Sequence, residues 1–540
     1  MLKDVSPRLY QESIFATAVQ KNSLVVLPTG LGKTLIALML TAFRLKSDPS
    51  SKILFFAPTR PLAEQHRSSF QKHLDLPDSA FALFTGNVTP AKRAALWRSA
   101  SVIFATPQGI ENDIINKSIS FKDVSLLIFD EAHRAVGDYS YVFLAKEYHK
   151  QAKNPKVLAL TASPGENLDK IAEVCTNLGI DGVEVRSPED PDVAPYVQDT
   201  QIKFEFVDLP PEFVAIKKLL EECEQDKLSQ VKSLGLLSTT QIHKGELLAL
   251  QRQLFADMAA NRDPERMKAV SLIAEALKVS HALEMLETQG LSQLVSYLDR
   301  LVDESRTSKV KAVQNLVRDP RFISARQRAK VLQSSGSIHP KLPRCVFIVQ
   351  DVLKRVPQGK LIVFSQFRDT GLSIVNALET QGISAKVFVG QQKKGESGMS
   401  QKIQAQVLQE FREGLFSVLV ATSVAEEGLD IPAVDYVLFY EPVPSAIRSI
   451  QRRGRTGRQE EGNVVVLLSR GTRDEAYRWS AHHKEKRMNS LLKTLKSKLA
   501  QTLPSKSPVL PPSSSVPSDP NQPTLASFAT EESSKPIIFA

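Results

Sequence analysis

The sequence predicts an α/β protein with two parallel-sheet domains, a helical insert between them and a Pro/Ser-rich tail. Three observations carry that reading. Short apolar runs alternate with helical patterns on both sides of the insert, as strands buried on both faces by crossover helices require. The alternation lapses from about residue 204 to residue 340, where helical periodicity dominates. Eight of the 31 prolines lie beyond residue 500, among serines and few large apolar residues. Such a composition cannot offset the entropy of ordering, so a disordered tail is expected. The expected units are 1–203, 204–340, 341–500 and 501–540.

In the first unit the strands are expected at 23–27, 52–57, 101–105, 124–129 and 156–160. Each ends in a polar cluster, and open α/β sheets bind ligands at the carboxyl ends of their strands. The first cluster is Pro28-Thr29-Gly30-Leu31-Gly32-Lys33-Thr34, followed by a helical run. Strand, glycine loop, Lys-Thr and helix is the layout of a phosphate-binding loop. Its backbone N–H groups and the helix N-terminus attract polyphosphate. Lys33 can reach the β- and γ-phosphates, and Thr34 can ligate magnesium. Leu27 stands where the strict pattern begins with glycine. A glycine turn beside a surface lysine is the plainer alternative. Upstream, the two-headed amide of Gln11 suits an adenine edge, or is plain surface.

The insert carries apolar stripes at Leu272, Ala276, Val279, Leu283 and Leu286, and at Leu291, Leu294, Leu298 and Leu301. Both read as core. Gly290 between them suits a helix stop. The insert ends in a basic run that includes Arg326 and Arg328. This is either a solvated helical face or one that grips a duplex. Alternation resumes with strands expected at 360–364, 385–389, 417–421, 436–440 and 463–468, and a basic helical pattern at 484–499 closes the second sheet.

Composition narrows the partners. A formal net charge of +10 favours an anionic partner, nucleic acid first, or marks a merely basic enzyme. No apolar run reaches the roughly 18 residues of a membrane span. The N-terminus lacks a signal-like apolar core. Cys175, Cys223 and Cys345 lie far apart, with no zinc spacing and no disulfide framework. A reducing, cytoplasmic, nucleoid-associated setting is therefore expected.

Asp130-Glu131 at a strand end is the natural partner of the loop. The aspartate can hold magnesium, and the glutamate can orient and deprotonate an attacking water. The run Gln451-Arg452-Arg453-Gly454-Arg455-Thr456-Gly457-Arg458 completes the set. Arginine's planar fork suits phosphate oxygens. Arg455 and Arg458 lie in the second sheet's domain. One ATP serving both halves would have to sit in the cleft between them, and its hydrolysis would work that cleft.

This ordered set resembles the superfamily-two helicases of the DEAH-bearing group, through 27–34, 58–62, 105–108, 130–133, 161–163, 363–370, 421–430 and 451–458. The runs 129–137, 287–290 and above all 440–457 resemble the archaeal Hef helicase, a relative of the FANCM and Mph proteins. The insert matches that family's thumb-like insert in position. The resemblance implies two RecA-like domains and an ATP- and Mg2+-dependent DNA helicase or translocase. Its substrate would be forked or branched DNA, its direction 3′ to 5′, its setting replication-fork repair or restart. By the same resemblance Gln11 reads adenine, and Gly30, Gly32, Lys33 and Thr34 cradle phosphates. Asp130 holds magnesium and Glu131 activates water. Thr161 and Ser163 couple the domains. Gly428 and Asp430 contact nucleotide from the far side, and Gln451, Arg455 and Arg458 contact the γ-phosphate. Arg60, Thr106, Gln366 and Thr422 touch the DNA backbone, contacts that position a strand without reading it.

Full-length Hef carries a nuclease after its helicase. Here a proline-serine tail follows, with no Glu-Arg-Lys nuclease constellation, so no strand cleavage is expected. In the tail Gln522, Leu525 and Phe528 resemble a PCNA-interacting motif in which Ala529 replaces the second aromatic anchor. A duplex-RNA translocase and a non-catalytic junction-binding adaptor are the alternative functions. The intact loop, Glu131 and both arginines argue against the adaptor.

Overall fold

The computed structural model describes residues 2–494 except 164, 166–167, 197–199, 261–262, 308–309, 391–397, 423–433, 443–461, 480–482, 484–485, 488–489 and 491–493. The first sheet contains β1 (Ser23–Val26), β2 (Lys52–Phe56), β3 (Phe81–Phe84), β4 (Val102–Ala105), β5 (Val124–Phe129), β6 (Val157–Thr161) and β7 (Gly182–Val185). Their order is β3-β4-β2-β5-β6-β1-β7, parallel throughout. The helices of this domain are α1 (Leu9–Gln20), α2 (Lys33–Ser47), α3 (Arg60–His73), α4 (Pro90–Ser99), α5 (Pro107–Ile115), α6 (Ser140–Gln151) and α7 (Leu168–Leu178). One sheet face is covered by Tyr10 and Ile14 of α1, Ile36 and Leu40 of α2 and Phe70 of α3. The other is covered by Ile110 of α5, Tyr141 and Leu144 of α6 and Val174 of α7. Cover on both sides is why β1, β4 and β5 are apolar without alternation.

The next strand, β8 (Thr200–Val207), does not join this sheet. It pairs in parallel with a strand far downstream, from Thr200 against Gly462 to Val207 against Ser469. The boundary expected between residues 203 and 204 therefore falls inside a strand of the second domain. The strand is an edge, with Ile202 and Phe204 each 37% exposed. It shows no continuous apolar run, so the sequence pattern alone did not mark it as part of a second sheet.

The insert follows as α8 (Pro211–Ser233), α9 (Lys244–Ala260), α10 (Pro264–Glu284), α11 (Leu291–Thr307), α12 (Lys311–Leu316) and α13 (Pro320–Ser334). α8 and α10 run along each other between two cores. One gathers Phe213, Leu220, Leu283, Leu294, Leu298 and Phe322; the other gathers Leu228, Leu247, Leu254 and Ile273. Asp263 and Asp319 start α10 and α13 in the same way. Each carboxylate accepts an N–H two residues on, and each is followed by proline at the first helical position. α10 runs into a π turn, Met285–Gln289, which ends at Gly290 with φ of 109°.

The second sheet holds β9 (Leu361–Phe364), β10 (Ala385–Phe388), β11 (Val418–Ala421), β12 (Tyr436–Phe439) and β13 (Gly462–Ser469). The order is β10-β11-β9-β12-β13-β8, again all parallel. Its helices include α14 (Lys341–Arg355), α15 (Arg368–Glu379) and α16 (Gln401–Glu413). α14 and α15 cover one face and α16 the other. Among the described residues no helix is long and apolar enough to cross a membrane.

The insert is pinned by a buried ionic cluster. Lys227 Nζ lies 3.2 Å from Asp319 Oδ2 and 3.4 Å from Glu275 Oε2. Arg321 donates from Nε and Nη2 to the two oxygens of Asp319, at 3.0 and 2.8 Å. Burial by itself would raise the Asp319 carboxyl, but the bonds from Arg321 and Lys227 outweigh it and hold the group well below the usual carboxylate range. Asp319→Ala removes a cap and one carboxylate partner from each of two cations, which keep Glu275 and Asp226, so it should destabilise the protein by about 1–3 kcal/mol. The folded-state value lies below the unfolded one, so this stabilisation is present above about pH 4 and is lost as pH falls further. Denaturant melts at neutral and acid pH check both statements; a midpoint equal to wild type at neutral pH would contradict them.

Candidate active site

The glycine loop leaves the sheet at the end of β1, between β6 and β7. The Leu27 N–H donates to the Thr161 carbonyl at 3.1 Å, and its side chain is fully buried. Leu27 has no positive φ and belongs to the core, so this position needs no glycine. Gly30 and Gly32 do, with φ of 88° and 77°. A Cβ on Gly32 would also lie 2.4 Å from Gln11 Nε2. Gln11 braces the loop from α1. Its Nε2 donates to the Leu31 carbonyl at 3.1 Å, and its Oε1 accepts the Arg8 N–H at 2.8 Å. Tyr10 donates its hydroxyl to the same Leu31 carbonyl at 2.8 Å. Pro28 and Thr29 are half-buried at the loop's start. Lys33 opens α2 and donates from Nζ to the Leu27 carbonyl at 2.9 Å; Thr34 is half-buried beside it.

Two strands away, β5 delivers Asp130 and Glu131 to the same edge. Asp130 Oδ2 lies 2.9 Å from His66 Nε2, and the Asp130 carbonyl accepts the Tyr141 hydroxyl at 2.9 Å. Burial alone would raise the Asp130 carboxyl. The His66 bond and charge, with the charge of Lys33, reverse this and hold it low. Burial pushes the Tyr141 phenol well up, and the nearby acids add to this. Glu131 has φ of 49°, left-handed backbone that costs a non-glycine residue about 1–3 kcal/mol. Its Oε2 is 3.4 Å from His133 Nδ1.

His133 links this strand end to the next. Its Nδ1 lies 3.2 Å from Thr161 Oγ1, which donates to the Ser163 carbonyl at 2.8 Å and accepts the Ser163 N–H at 3.1 Å. The threonine's one hydroxyl hydrogen is spent on Ser163, so His133 must be the donor, through Nδ1–H. The same hydrogen faces Glu131.

The edge divides by strand order. The loop, Asp130, Glu131, Thr161 and Ser163 follow β1, β5 and β6, while Arg60 and Thr106 follow β2 and β4 on the other half. Arg60 donates to Glu64 at 2.7 Å at the start of α3, and Thr106 precedes α5. In the second sheet Gln366 and Thr422 follow the neighbouring strands β9 and β11. Gln366 donates from Nε2 to the Pro442 carbonyl at 3.1 Å, and the Thr422 N–H donates to the Phe388 carbonyl at 3.0 Å. Arg326 and Arg328 stand apart, on α13. Arg326 donates to Asp299 at 2.6 Å, and Lys330 Nζ lies 2.8 Å from the same carboxylate. That face therefore carries less net charge than its basic residues alone suggest. Arg328 lines an apolar groove with Pro211, Ile216 and Val331. Gly428, Asp430, Gln451, Arg455, Arg458, Gln522, Leu525 and Phe528 lie outside the described residues.

His66 and Tyr141 belong to the site although the sequence reading did not single them out. His66 falls on the inward stripe of α3, between Ala63 and Phe70. A histidine on such a stripe, on the helix after the strand that pairs with β5, is the signal that could have found it. The residues present fit a magnesium-bound nucleotide. Among the described residues no group of three His, Cys, Asp or Glu could hold a metal. A cation held by one carboxylate, a threonine and phosphate oxygens suits magnesium.

Comparison with known proteins follows the same division. A "DEAD/DEAH box helicase" model matches residues 8–171, and a "Helicase conserved C-terminal domain" model matches 345–460. A "Putative ATP-dependent RNA helicase, helical bundle" model matches 212–335. A Methanocaldococcus jannaschii protein named "Putative ATP-dependent RNA helicase MJ1505" is 42% identical over 91% of this chain and 61% of its own length. The Arabidopsis thaliana "DEAD-box ATP-dependent RNA helicase FANCM" is 35% identical over 87% and 35%. The Pyricularia oryzae "ATP-dependent DNA helicase MPH1" is 33% identical over 89% and 45%. The chain thus spans between about a third and three fifths of these relatives. The crystal structure of the Pyrococcus furiosus Hef helicase domain superposes with a TM-score of 0.68 at 48% identity, covering 88% of this chain and 98% of that one. With that identity over nearly the whole of the Hef helicase domain, and helicase models over both sheet domains, the chain belongs to the Hef-type superfamily-two helicases.

Proposed function

We propose that the protein is an ATP-driven DNA helicase or translocase that acts on forked or branched DNA, moving 3′ to 5′, in replication-fork repair or restart. One observation carries the reading. The half of the first sheet's edge that carries the glycine loop and the acidic pair, at β1, β5 and β6, is continuous with the half that carries Arg60 and Thr106, at β2 and β4. Fuel and track then meet on one surface. The name of the Pyricularia oryzae relative supports DNA. The names of the Methanocaldococcus and Arabidopsis relatives print RNA, which keeps a duplex-RNA translocase as the second reading.

The chemistry follows from the side chains. Lys33 and the α2 N-terminus neutralise the polyphosphate. Glu131 takes a proton from water, whose oxygen attacks the γ-phosphorus as the bond to the bridging oxygen breaks; ADP and phosphate leave. Its left-handed backbone and the Nδ1–H of His133 aim the carboxylate. Magnesium, when bound through Thr34 and Asp130, supplies further charge neutralisation. Gln11 retains one amide hydrogen and one acceptor lone pair beyond its bonds to Leu31 and Arg8, the pair an adenine edge needs. Thr161 and Ser163 pass the state of the acidic strand end toward the second domain. Gly428, Asp430, Gln451, Arg455 and Arg458 are assigned to the nucleotide from the far side of the cleft. Arg60, Thr106, Gln366 and Thr422 are assigned to the strand backbone, with Arg328 more available to a duplex than Arg326. On sequence alone, Gln522, Leu525 and Phe528 are assigned to a sliding clamp.

Glu131→Gln should retain ATP binding and lose turnover by about 10²–10⁴-fold, the usual worth of a general base. Steady-state hydrolysis beside nucleotide binding checks it, and robust hydrolysis by that variant removes the base assignment. Forked DNA should stimulate wild-type turnover and outcompete an RNA duplex of equal length, with Lys33→Ala inactive on both. Preference for the RNA duplex would establish the second reading, and turnover indifferent to either nucleic acid would end the motor reading.

A further inference from the structure

The joint between the helical insert and the second sheet is polar and buried. At the π turn of the insert, the Glu287 carboxylate accepts the Arg473 N–H at 3.1 Å, and its carbonyl lies 3.0 Å from His339 Nε2. His339 Nδ1 accepts the Lys341 N–H at 3.2 Å, so Nε2 carries the ring hydrogen and donates. Lys341, fully buried at the start of α14, places Nζ 2.5 Å from Asp474 Oδ2, and the Ser469 N–H donates to that oxygen at 2.8 Å. A fully buried ion pair is costly to build and adds little net stability. Its position invites a role beyond holding the fold together.

Beside this pair lies Glu441, 1% exposed, at the end of β12. Burial pushes its carboxyl up to about 7, with Lys341 pulling it down and Asp474 pushing it up. Its two oxygens face the turn that follows β9. Oε1 accepts the Ser365 hydroxyl at 3.2 Å, and Oε2 accepts the Gln366 N–H at 3.0 Å. Ser365 is itself fully buried. The Gln366 side chain then turns to the Pro442 carbonyl, one residue beyond Glu441. The single hydroxyl hydrogen of Ser365 is shared between Glu441 Oε1 and the Phe367 carbonyl at 3.1 Å, and the Gln366 N–H is given to Oε2.

We propose that Glu441 is a positioning residue for nucleic-acid contact, fixing the Ser365–Gln366 turn from inside the second domain beside the buried Lys341–Asp474 pair. The proposal rests on the reading that Gln366 touches the strand. Replacing the carboxylate by an amide sets an NH2 group against either the Ser365 hydroxyl or the Gln366 N–H. The Ser365 hydroxyl can turn to the Phe367 carbonyl and accept that NH2. The amide then keeps both partners but replaces the charge-assisted bond to the Gln366 N–H by a weaker neutral one, at unchanged side-chain volume.

The test measures the single-stranded DNA oligonucleotide concentration that half-maximally stimulates ATP turnover. Glu441→Gln is expected to raise it by about tenfold, the difference between a charge-assisted hydrogen bond and a neutral one. Turnover without oligonucleotide and the KM for ATP should stay within about twofold of wild type, which a loss of general integrity would not allow. Gln366→Ala is expected to raise the same concentration, and the double variant to be no worse than Gln366→Ala alone. If Gln366→Ala weakens strand stimulation and Glu441→Gln does not, the positioning role is overturned. If the two effects multiply, Glu441 acts elsewhere and the proposal also falls. If Gln366→Ala changes nothing, the strand-contact reading fails first and takes the proposal with it. Should Glu441→Gln not fold, Ser365→Ala removes one of the carboxylate's two partners. It carries the same expectations, smaller in size, and an unchanged half-maximal concentration for it overturns the role.

Discussion

Every strand in both sheets runs parallel to its neighbours, and the rest of the molecule depends on that constraint. Parallel strands must be joined by crossovers, and the crossovers cover both faces, so little but an edge is left for chemistry. All the carboxyl ends open on one side. A glycine loop, an acidic pair and a threonine-serine turn arrive together because they end β1, β5 and β6, whose order in space is β5-β6-β1. Distance in sequence is no obstacle.

What the sequence revealed follows from the same physics. The central strands are buried on both faces, so they read as unbroken apolar runs and were expected where they occur. β3, β7 and β8 lie at sheet edges; β3 and β7 mix buried with half-buried positions, and β8 carries exposed ones. Their patterns are weak, and they were not foreseen. The polar clusters were legible because glycine, lysine and paired acids at strand ends have few other uses. Their supports were not. His66 reaches Asp130 across two adjacent strands, Tyr141 reaches its carbonyl from the opposite sheet face, and Asp299 neutralises Arg326 from another helix. Such pairings depend on packing, which periodicity does not encode.

The acidic strand end also stores strain in a useful place. Glu131 is one of only three non-glycine residues with positive φ among the described residues. Its neighbour His133 spends one hydrogen between the glutamate and Thr161. A change at either acceptor is felt by the other, and Thr161 holds Ser163 at both its N–H and its carbonyl. The turn after β6 and the acidic strand end therefore share one imidazole, through contacts of ordinary length.

The pairing of β8 with β13 has a consequence for biogenesis. The partners lie about 260 residues apart, one on either side of the insert. During synthesis the first domain can complete its sheet as soon as β7 emerges. β8 must then wait until the whole insert and four further strands have been made. Closing so long a loop costs little more entropy than closing one half its length, but it delays the search. Until β13 arrives, a strand bearing Ile202, Phe204 and Phe206 has no neighbour on either side, and nascent chains in that interval are the ones most exposed to mispairing and to chaperones.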